Sequence, residues 1–294
     1  MIDFKNAHEL LDLCAETGKS ISEIMIQREC ENTEADRETV MARMKHSLDI
    51  MKESVKLPLE KPVKSIGGLI GGEAVKLDQH RREGKSVCGS VLSRAITYSM
   101  GVLEVNTSMG LIVAAPTAGS SGIIPGLLMA LQEEYELTDD QLLSALFNAA
   151  AVGYLATRNA TVSGAVGGCQ AEVGVASAMA ASAAVEVMGG TPKQCTDAAS
   201  TALMNLLGLV CDPIAGLVEC PCQSRNAIGV SNSLSCAEIA LSGIEQIIPL
   251  DEMLEAMMKV GKTMPGTLKE TALGGCAMTE TGCRRTCEIF GGCQ

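Results

Sequence analysis

The chain has 294 residues and a formal net charge of −12, and 47% of it is hydrophobic, so it can bury a substantial core. The acidic balance argues against a nucleic-acid-binding protein, because no basic surface is available to neutralise phosphates. The longest mainly apolar run, 173–185, is shorter than the roughly 20 residues that a transmembrane helix needs. The first ten residues lack the order of a signal peptide, so we expect a cytoplasmic protein that binds neither membrane nor nucleic acid.

Residues 1–60 are rich in charges at helical spacing and predict an amphipathic helical segment. The helix before Pro58 is expected to end there, and Pro62 follows, so we place a boundary near 58–64. Paired glycines at 67–68 and 71–72 come next and predict a sharp turn or a close backbone approach. Their spacing differs from that of the phosphate-binding loops.

From residue 86 onward, small-residue helical stretches alternate with polar breaks that contain glycine. The chain has no Trp and only three Tyr and three Phe, so its core must be built from small and aliphatic side chains, which suits closely packed helices. Thr138 is a good N-cap, with acidic residues in the first turn after it. Only 111–116 resembles a strand, and we predict an all-α fold whose Gly-rich loops converge on one site. The predicted helices are 123–134, 138–156, 170–188, 192–207 and 224–242.

Three of the thirteen cysteines follow such breaks: Cys169, then Cys211 after 42 residues, then Cys222 after another 11. Zinc modules favour close C-x-x-C pairs and bacterial ferredoxins favour C-x₂-C-x₂-C runs, and neither pattern occurs. Thiolates on loops between helices suit a cluster inside an enzyme, where three ligands on a four-iron cluster would leave one iron open as a Lewis acid. The alternative is that these are buried packing cysteines, and spacing alone favours that alternative.

Four segments, in order, resemble the α chain of the iron–sulfur-dependent L-serine dehydratases. They are GGLIGGEAVKL (67–77), NTSMGLIVAAPTAGSSGIIP (106–125), SGAVGGCQAEVGVASAMAA (163–181) and GLVCDPIAGLVECPCQSRNAIG (208–229). The similarity runs from about residue 60 to 275. The resemblance implies an all-α catalytic domain and an oxygen-sensitive [4Fe-4S] cluster on Cys169, Cys211 and Cys222. It also implies conversion of L-serine to pyruvate and ammonia, a step of amino-acid degradation that feeds gluconeogenesis.

Substrate binding would fall to two loops with hydroxyl groups and free backbone N–H groups, because both bind carboxylates well. The alternative role of each side chain is ordinary helix capping. Arg225, three residues after Cys222, could pair with the substrate carboxylate or the cluster charge, or form a structural salt bridge. The loop residues that we predict to bind substrate are Asn106, Thr107, Ser108, Thr117, Ser120 and Ser121.

The general base is not identifiable in this sequence. The three histidines, His8, His46 and His80, lie in contexts that suit solvated surface positions. In the family that the chain resembles, a histidine-bearing motif belongs to a separate β part, either fused or on a second chain. The resemblance therefore implies a β chain as partner, with L-serine bound where the two chains meet.

The predicted organisation is an N-terminal helical segment (1–60), a cluster-binding catalytic domain (61–275) and a Cys-rich tail (276–294). For the tail we favour disorder. Two alternatives are a separate metal site on Cys283, Cys287 and Cys293, and a cap on the open iron by Cys293, since some family members place a C-terminal cysteine there. For the function, the alternatives are a lyase that desulfurises L-cysteine and a non-catalytic iron–sulfur electron-transfer or carrier protein, which would need four protein ligands.

Overall fold

The computed structural model describes residues 2–292, and within them it contains helices and no β-strand, so the predicted all-α fold is confirmed. The helices are α1 (Ala7–Thr17), α2 (Ile21–Thr33), α3 (Arg37–Glu60), α4 (Glu73–Arg82), α5 (Gly89–Thr107), α6 (Ile123–Tyr135), α7 (Asp139–Asn159), α8 (Gly164–Gly167), α9 (Val175–Val187), α10 (Pro192–Asn205), α11 (Cys222–Leu241), α12 (Leu250–Thr263) and α13 (Glu280–Phe290).

Helix α9 is the centre of the fold and is buried along almost its whole length. It packs against α6, α7, α10 and α11, and its alanines let these helices approach closely. The same principle joins α5 to α6, because a Cβ on Gly126 would lie 2.8 Å from the backbone nitrogen of Ser99. Small residues thus replace aromatic side chains as the means of filling this core.

The N-terminal helices pack on the same core as the rest of the chain. Asp251, at the start of α12, accepts hydrogen bonds from the backbone nitrogens of Ala7 and His8 at 2.8 and 3.1 Å. The Arg28 guanidinium lies 3.9 Å from the ring centroid of Tyr154, a cation–π contact between α2 and α7. The division into segments at residues 60 and 275 stays a prediction.

The structure agrees with most predicted helices, and Thr138 caps α7 in a full capping box with Gln141. Three expectations were wrong. Helix α3 does not end at Pro58 but continues to Glu60. Residues 111–116 form no strand. The predicted helix at 170 begins instead with a π-helical turn, Gln170–Gly174, before α9 starts at Val175.

The tail is also more ordered than expected, because α13 covers residues 280–290. It follows a short 3₁₀ turn, Gly275–Met278, and lies against the Ile214–Gly216 turn of the cysteine-bearing loop. Thr279 caps α13 by accepting from the Gly282 nitrogen at 3.1 Å. Among the helices described, none is both long and apolar enough to cross a membrane.

Candidate active site

The three candidate cysteines come from three different backbone environments. Cys169 follows Gly168, which adopts a left-handed φ of +78°, and precedes the π-helical turn. Cys211 lies on an extended segment, and its own backbone nitrogen donates to Leu268 O at 2.9 Å. Cys222 is the first residue of α11, directly after Pro221. All three side chains are buried.

The thiols converge in the interior. The thiols of Cys169 and Cys211 are close enough to interact, and Cys222 lies close enough for a charge on Cys169 to act on it. The hydrogen bond from Cys211 lowers the pKa of Cys169, and the same bond raises the pKa of Cys211. Burial raises the pKa of Cys222.

Arg225 forms the structural salt bridge that was one of its three predicted roles. Its Nη2 donates to Asp212 Oδ1 at 2.6 Å and its Nη1 to Val210 O at 2.7 Å. Its positive charge also helps to lower the pKa of the Cys169 thiol. The other Asp212 oxygen accepts from the Cys276 nitrogen at 2.6 Å. One ion pair thus joins the cysteine loop, α11 and the start of the tail.

A carboxylate that the sequence analysis did not identify, Glu172, lies between the thiols and the hydroxyl loop. Its Oε1 accepts from Thr117 Oγ1 at 2.7 Å, and the Cys211 sulfur donates to its Oε2 at 3.8 Å. Burial raises the pKa of Glu172. Gly164 packs against both groups, because a Cβ there would lie 2.5 Å from Glu172 Oε2 and 3.2 Å from the Cys211 sulfur.

The two hydroxyl-bearing loops lie side by side, as expected, since Asn106 Nδ2 donates to Ala118 O at 3.3 Å. The hydroxyl oxygens of Thr117 and Ser120 lie 3.2 Å apart, and Thr117 is linked to the Cys211 thiol through Glu172. The hydroxyls of Thr107, Ser108 and Ser121 bond back to carbonyls of their own segments, at 2.8, 3.0 and 2.8 Å. These three hydroxyls therefore stabilise their own segments.

Asn226 is a second residue that the sequence analysis missed, and it is fully buried. Its Oδ1 accepts from the Gly122 nitrogen at 3.0 Å, and its Nδ2 donates to Gly119 O at 2.7 Å and to Cys222 O at 2.9 Å. The amide therefore holds loop 116–122 against the start of α11. The available signal was its position four residues after Cys222, one turn along the helix.

The three histidines His8, His46 and His80 are exposed, in line with the surface positions predicted for them. Within residues 2–292, no group of three or more His, Cys, Asp and Glu side chains has the arrangement of a formed metal site. The donor chemistry nevertheless fits an iron–sulfur group, because three buried thiols converge and thiolates are its usual ligands. The predictions for Cys293 fall outside the described residues.

Comparison with known proteins agrees with these observations. The family model described as "Serine dehydratase alpha chain" matches residues 16–277. A "Probable L-serine dehydratase, alpha chain" from Bacillus subtilis is 48% identical over 98% of this chain and 96% of that protein. The "L-serine dehydratase, alpha chain" of Peptoniphilus asaccharolyticus is 43% identical over 94% of each. The "L-serine dehydratase" of Helicobacter pylori is 34% identical over 94% of this chain but 62% of that protein.

The described residues thus form an all-α protein in which three buried cysteines lie near one another, one of them linked through Glu172 to a loop that carries hydroxyl groups. The chain belongs to the serine dehydratase alpha chain family, because the family model covers most of its length and close relatives align end to end.

Proposed function

We propose that this chain is the α chain of an L-serine ammonia-lyase, which converts L-serine to pyruvate and ammonia. What supports the proposal is membership of the serine dehydratase α-chain family, together with the buried cysteines Cys169, Cys211 and Cys222, whose thiols lie close enough to interact. The eleven cysteines that are free thiols and the net charge of −12 support a cytoplasmic enzyme that does not bind nucleic acid.

The cofactor in this proposal is a [4Fe-4S] cluster held by the same three cysteines. When bound, it supplies an iron without a protein ligand, whose Lewis acidity stabilises the hydroxide that leaves serine. Such an iron is also the one most exposed to oxygen, so the enzyme should be oxygen-sensitive. Arg225 keeps a positive charge beside Cys169, which suits a centre that carries excess negative charge.

The chain's own residues would then bind and orient the substrate. Thr117 is linked to the Cys211 thiol through Glu172 and lies beside Ser120, and we propose that both hydroxyls and the backbone nitrogens of loop 116–122 receive the serine carboxylate. Asn106 joins the second loop to the first and keeps Ala118 in place. Holding the substrate in one orientation aligns the Cα–H and Cβ–O bonds that must break. Thr107, Ser108 and Ser121 keep a proposed place in the site, through the loops that they stabilise.

The proton acceptor is proposed to lie on a β chain. The relatives from Bacillus subtilis and Peptoniphilus asaccharolyticus carry the words "alpha chain" in their names and have nearly this chain's length. The relative from Helicobacter pylori, without those words, extends well beyond the similar region. These names and lengths support a partner that supplies, on a second chain, what longer relatives carry on one.

The test is an anaerobic assay of the chain co-purified with its β chain, with pyruvate measured on L-serine and sulfide on L-cysteine. The proposal predicts pyruvate from L-serine, abolished by Cys211→Ser and retained by Cys236→Ser, a control on a buried cysteine of α11. Sulfide release from L-cysteine without turnover of L-serine would favour the desulfidase. A stable cluster with no turnover of either amino acid would favour the carrier.

A further inference from the structure

A buried carboxylate outside the site described above lies three residues before Cys222. Glu219 is 2% exposed, and its carboxylate accepts three hydrogen bonds. The donors are Ser65 Oγ at 2.6 Å, the Gly67 nitrogen at 2.7 Å and the Leu69 nitrogen at 2.9 Å. All three belong to the glycine-rich loop 65–72, which lies about one half of the chain earlier in the sequence.

The loop is shaped around this carboxylate. A Cβ on Gly67 would lie 2.8 Å from Glu219 Oε1 and 2.4 Å from the Leu217 side chain, so no larger residue fits without displacing them. The Ser65 hydroxyl, besides donating to Glu219, accepts from the Ile70 nitrogen at 3.3 Å. Gly67 therefore serves a close approach, and Gly68, with φ +73°, serves the turn, so the first glycine pair fills both roles predicted from the sequence.

Loop 65–72 also contacts the other side of the site. The Ile66 nitrogen donates to Thr107 O at 2.9 Å, in the segment that begins the hydroxyl loop 106–110. On the cysteine side, the Gln223 nitrogen donates to Glu219 O at 2.9 Å, which joins the Glu219 backbone to the first turn of α11. Glu219 is thus fixed by its side chain to one loop and by its main chain to the residue after Cys222.

We infer that Glu219 is a positioning residue for Cys222: together with loop 65–72, it sets the place of this thiol relative to loop 106–110. The role given to Cys222 rests on the proposed function, but the contacts of Glu219 do not. A buried carboxylate that accepts three hydrogen bonds is a strong and directional anchor. Its loss removes the partner of the buried Ser65 hydroxyl and of two half-buried N–H groups, and it frees the segment before Cys222 to open locally.

The first experiment uses the cluster-free full chain and needs no activity. Alkylation of Cys222 is followed by mass spectrometry and expressed relative to Cys195, a fully buried cysteine of α10. In Glu219→Gln the relative rate at Cys222 should rise by about tenfold or more, because hydrogen bonds to a charged buried group are lost. Asp251→Asn is the matched control, since Asp251 accepts two backbone N–H groups of α1 and bonds to neither loop 65–72 nor the segment before Cys222. It should leave the ratio unchanged.

A second variant breaks the same contact from the loop. Gly67→Ala should also raise the relative alkylation of Cys222, and combining it with Glu219→Gln should add little, because both disrupt one interaction. If Glu219→Gln does not fold, Ser65→Ala removes one donor and provides a milder test. Equal loss of stability in Glu219→Gln and Asp251→Asn, with the Cys222 ratio unchanged in both, would overturn the inference.

The third readout uses the reconstituted enzyme with its β chain. Glu219→Gln should change the absorbance and paramagnetic spectrum of the cluster and lower kcat more than it alters KM for L-serine. A wild-type chain that binds no iron and sulfide would refute the proposed function but would leave the alkylation result intact. A normal cluster spectrum and normal kcat in Glu219→Gln would refute the positioning role while the proposed function stands.

Discussion

Asn226 makes more hydrogen bonds between segments of the candidate site than any of the hydroxyl side chains predicted from the sequence. Its amide makes three hydrogen bonds, all in the interior, between the start of α11 and loop 116–122. Asn226→Ala would leave the Gly122 nitrogen and the Gly119 carbonyl buried without that partner. We expect a loss of about 2–4 kcal/mol in the free energy of unfolding, since each buried unpaired group costs about 1–3 kcal/mol.

The measurement is equilibrium unfolding in denaturant, and Asn205→Ala is its control. The Asn205 amide donates to Asn232 Oδ1 at 2.8 Å, but this residue is exposed and water can replace the bond. Its loss should cost less than about 1 kcal/mol. Equal effects of the two substitutions would show that the amide of Asn226 does not anchor the loop.

Residue types and their order pointed to three cysteines and two polar loops as the candidate site. They could not reveal Glu172, Asp212, Glu219 or Asn226, although each lies within four positions of a candidate cysteine. A carboxylate near a cysteine is common in any helical protein, and the direction of a side chain depends on which segments pack against it. The direction of the Glu219 side chain is set by loop 65–72, which lies far from Glu219 in the sequence, so the sequence alone does not show that the two are in contact.

At the scale of elements, Gly168 sets the turn that presents Cys169. It has φ +78°, and a Cβ there would lie 2.7 Å from the Met264 sulfur and 3.0 Å from Leu209 O. Gly168→Ala should therefore combine backbone strain with a displacement of the turn. We expect it to lower stability by clearly more than the about 1–2 kcal/mol that a left-handed alanine costs, and to reduce cluster content.

Gly189→Ala provides the control, because Gly189 has φ +86° and open space around a Cβ. In Gly189→Ala, denaturant unfolding should show only the loss of stability that comes from backbone strain. The iron content of this variant should be normal. If both variants lose the same stability and both retain full iron, the turn at Gly168 does not need its close contacts.

Helix positions were predictable wherever composition and caps agree, as in α7, whose N-cap Thr138 and acidic first turn are both present. The prediction failed where tertiary contacts decide. Pro58 is tolerated near the end of α3, where it packs against α5 close to Gly101. The π-helical turn after Cys169 has no distinct sequence signal, and the order of the tail depends on contacts such as that of Asp212 with the Cys276 nitrogen.

On the scale of the whole molecule, three exposed apolar side chains border the hydroxyl loops. Ile66, Met109 and Leu111 are 71, 79 and 70% exposed, and the Ile66 nitrogen bonds to Thr107 O. We expect the β chain to cover them, because this side carries the loops proposed to bind L-serine. Leu111→Glu should weaken binding of the β chain by at least about tenfold, which corresponds to about 1.4 kcal/mol.

Association can be measured by titrating labelled α chain with β chain. Ile247→Glu is the matched control, since Ile247 is 93% exposed on the segment between α11 and α12.

The α chain alone should turn over L-serine slowly or not at all, because a positioned base contributes about 10²–10⁴ in rate. Full activity of the isolated α chain would assign the base to this chain and make His80 the first residue to substitute.

The most direct test of the central claim is the iron and sulfide content of the anaerobically reconstituted chain. The account predicts about four irons and four sulfides per chain in the wild type and in Cys236→Ser, as expected for one [4Fe-4S] cluster. It predicts loss of the cluster absorbance in Cys169→Ser, Cys211→Ser and Cys222→Ser. A normal cluster and normal turnover in Cys211→Ser would contradict the ligand assignment, and a wild-type chain without iron would contradict the account as a whole.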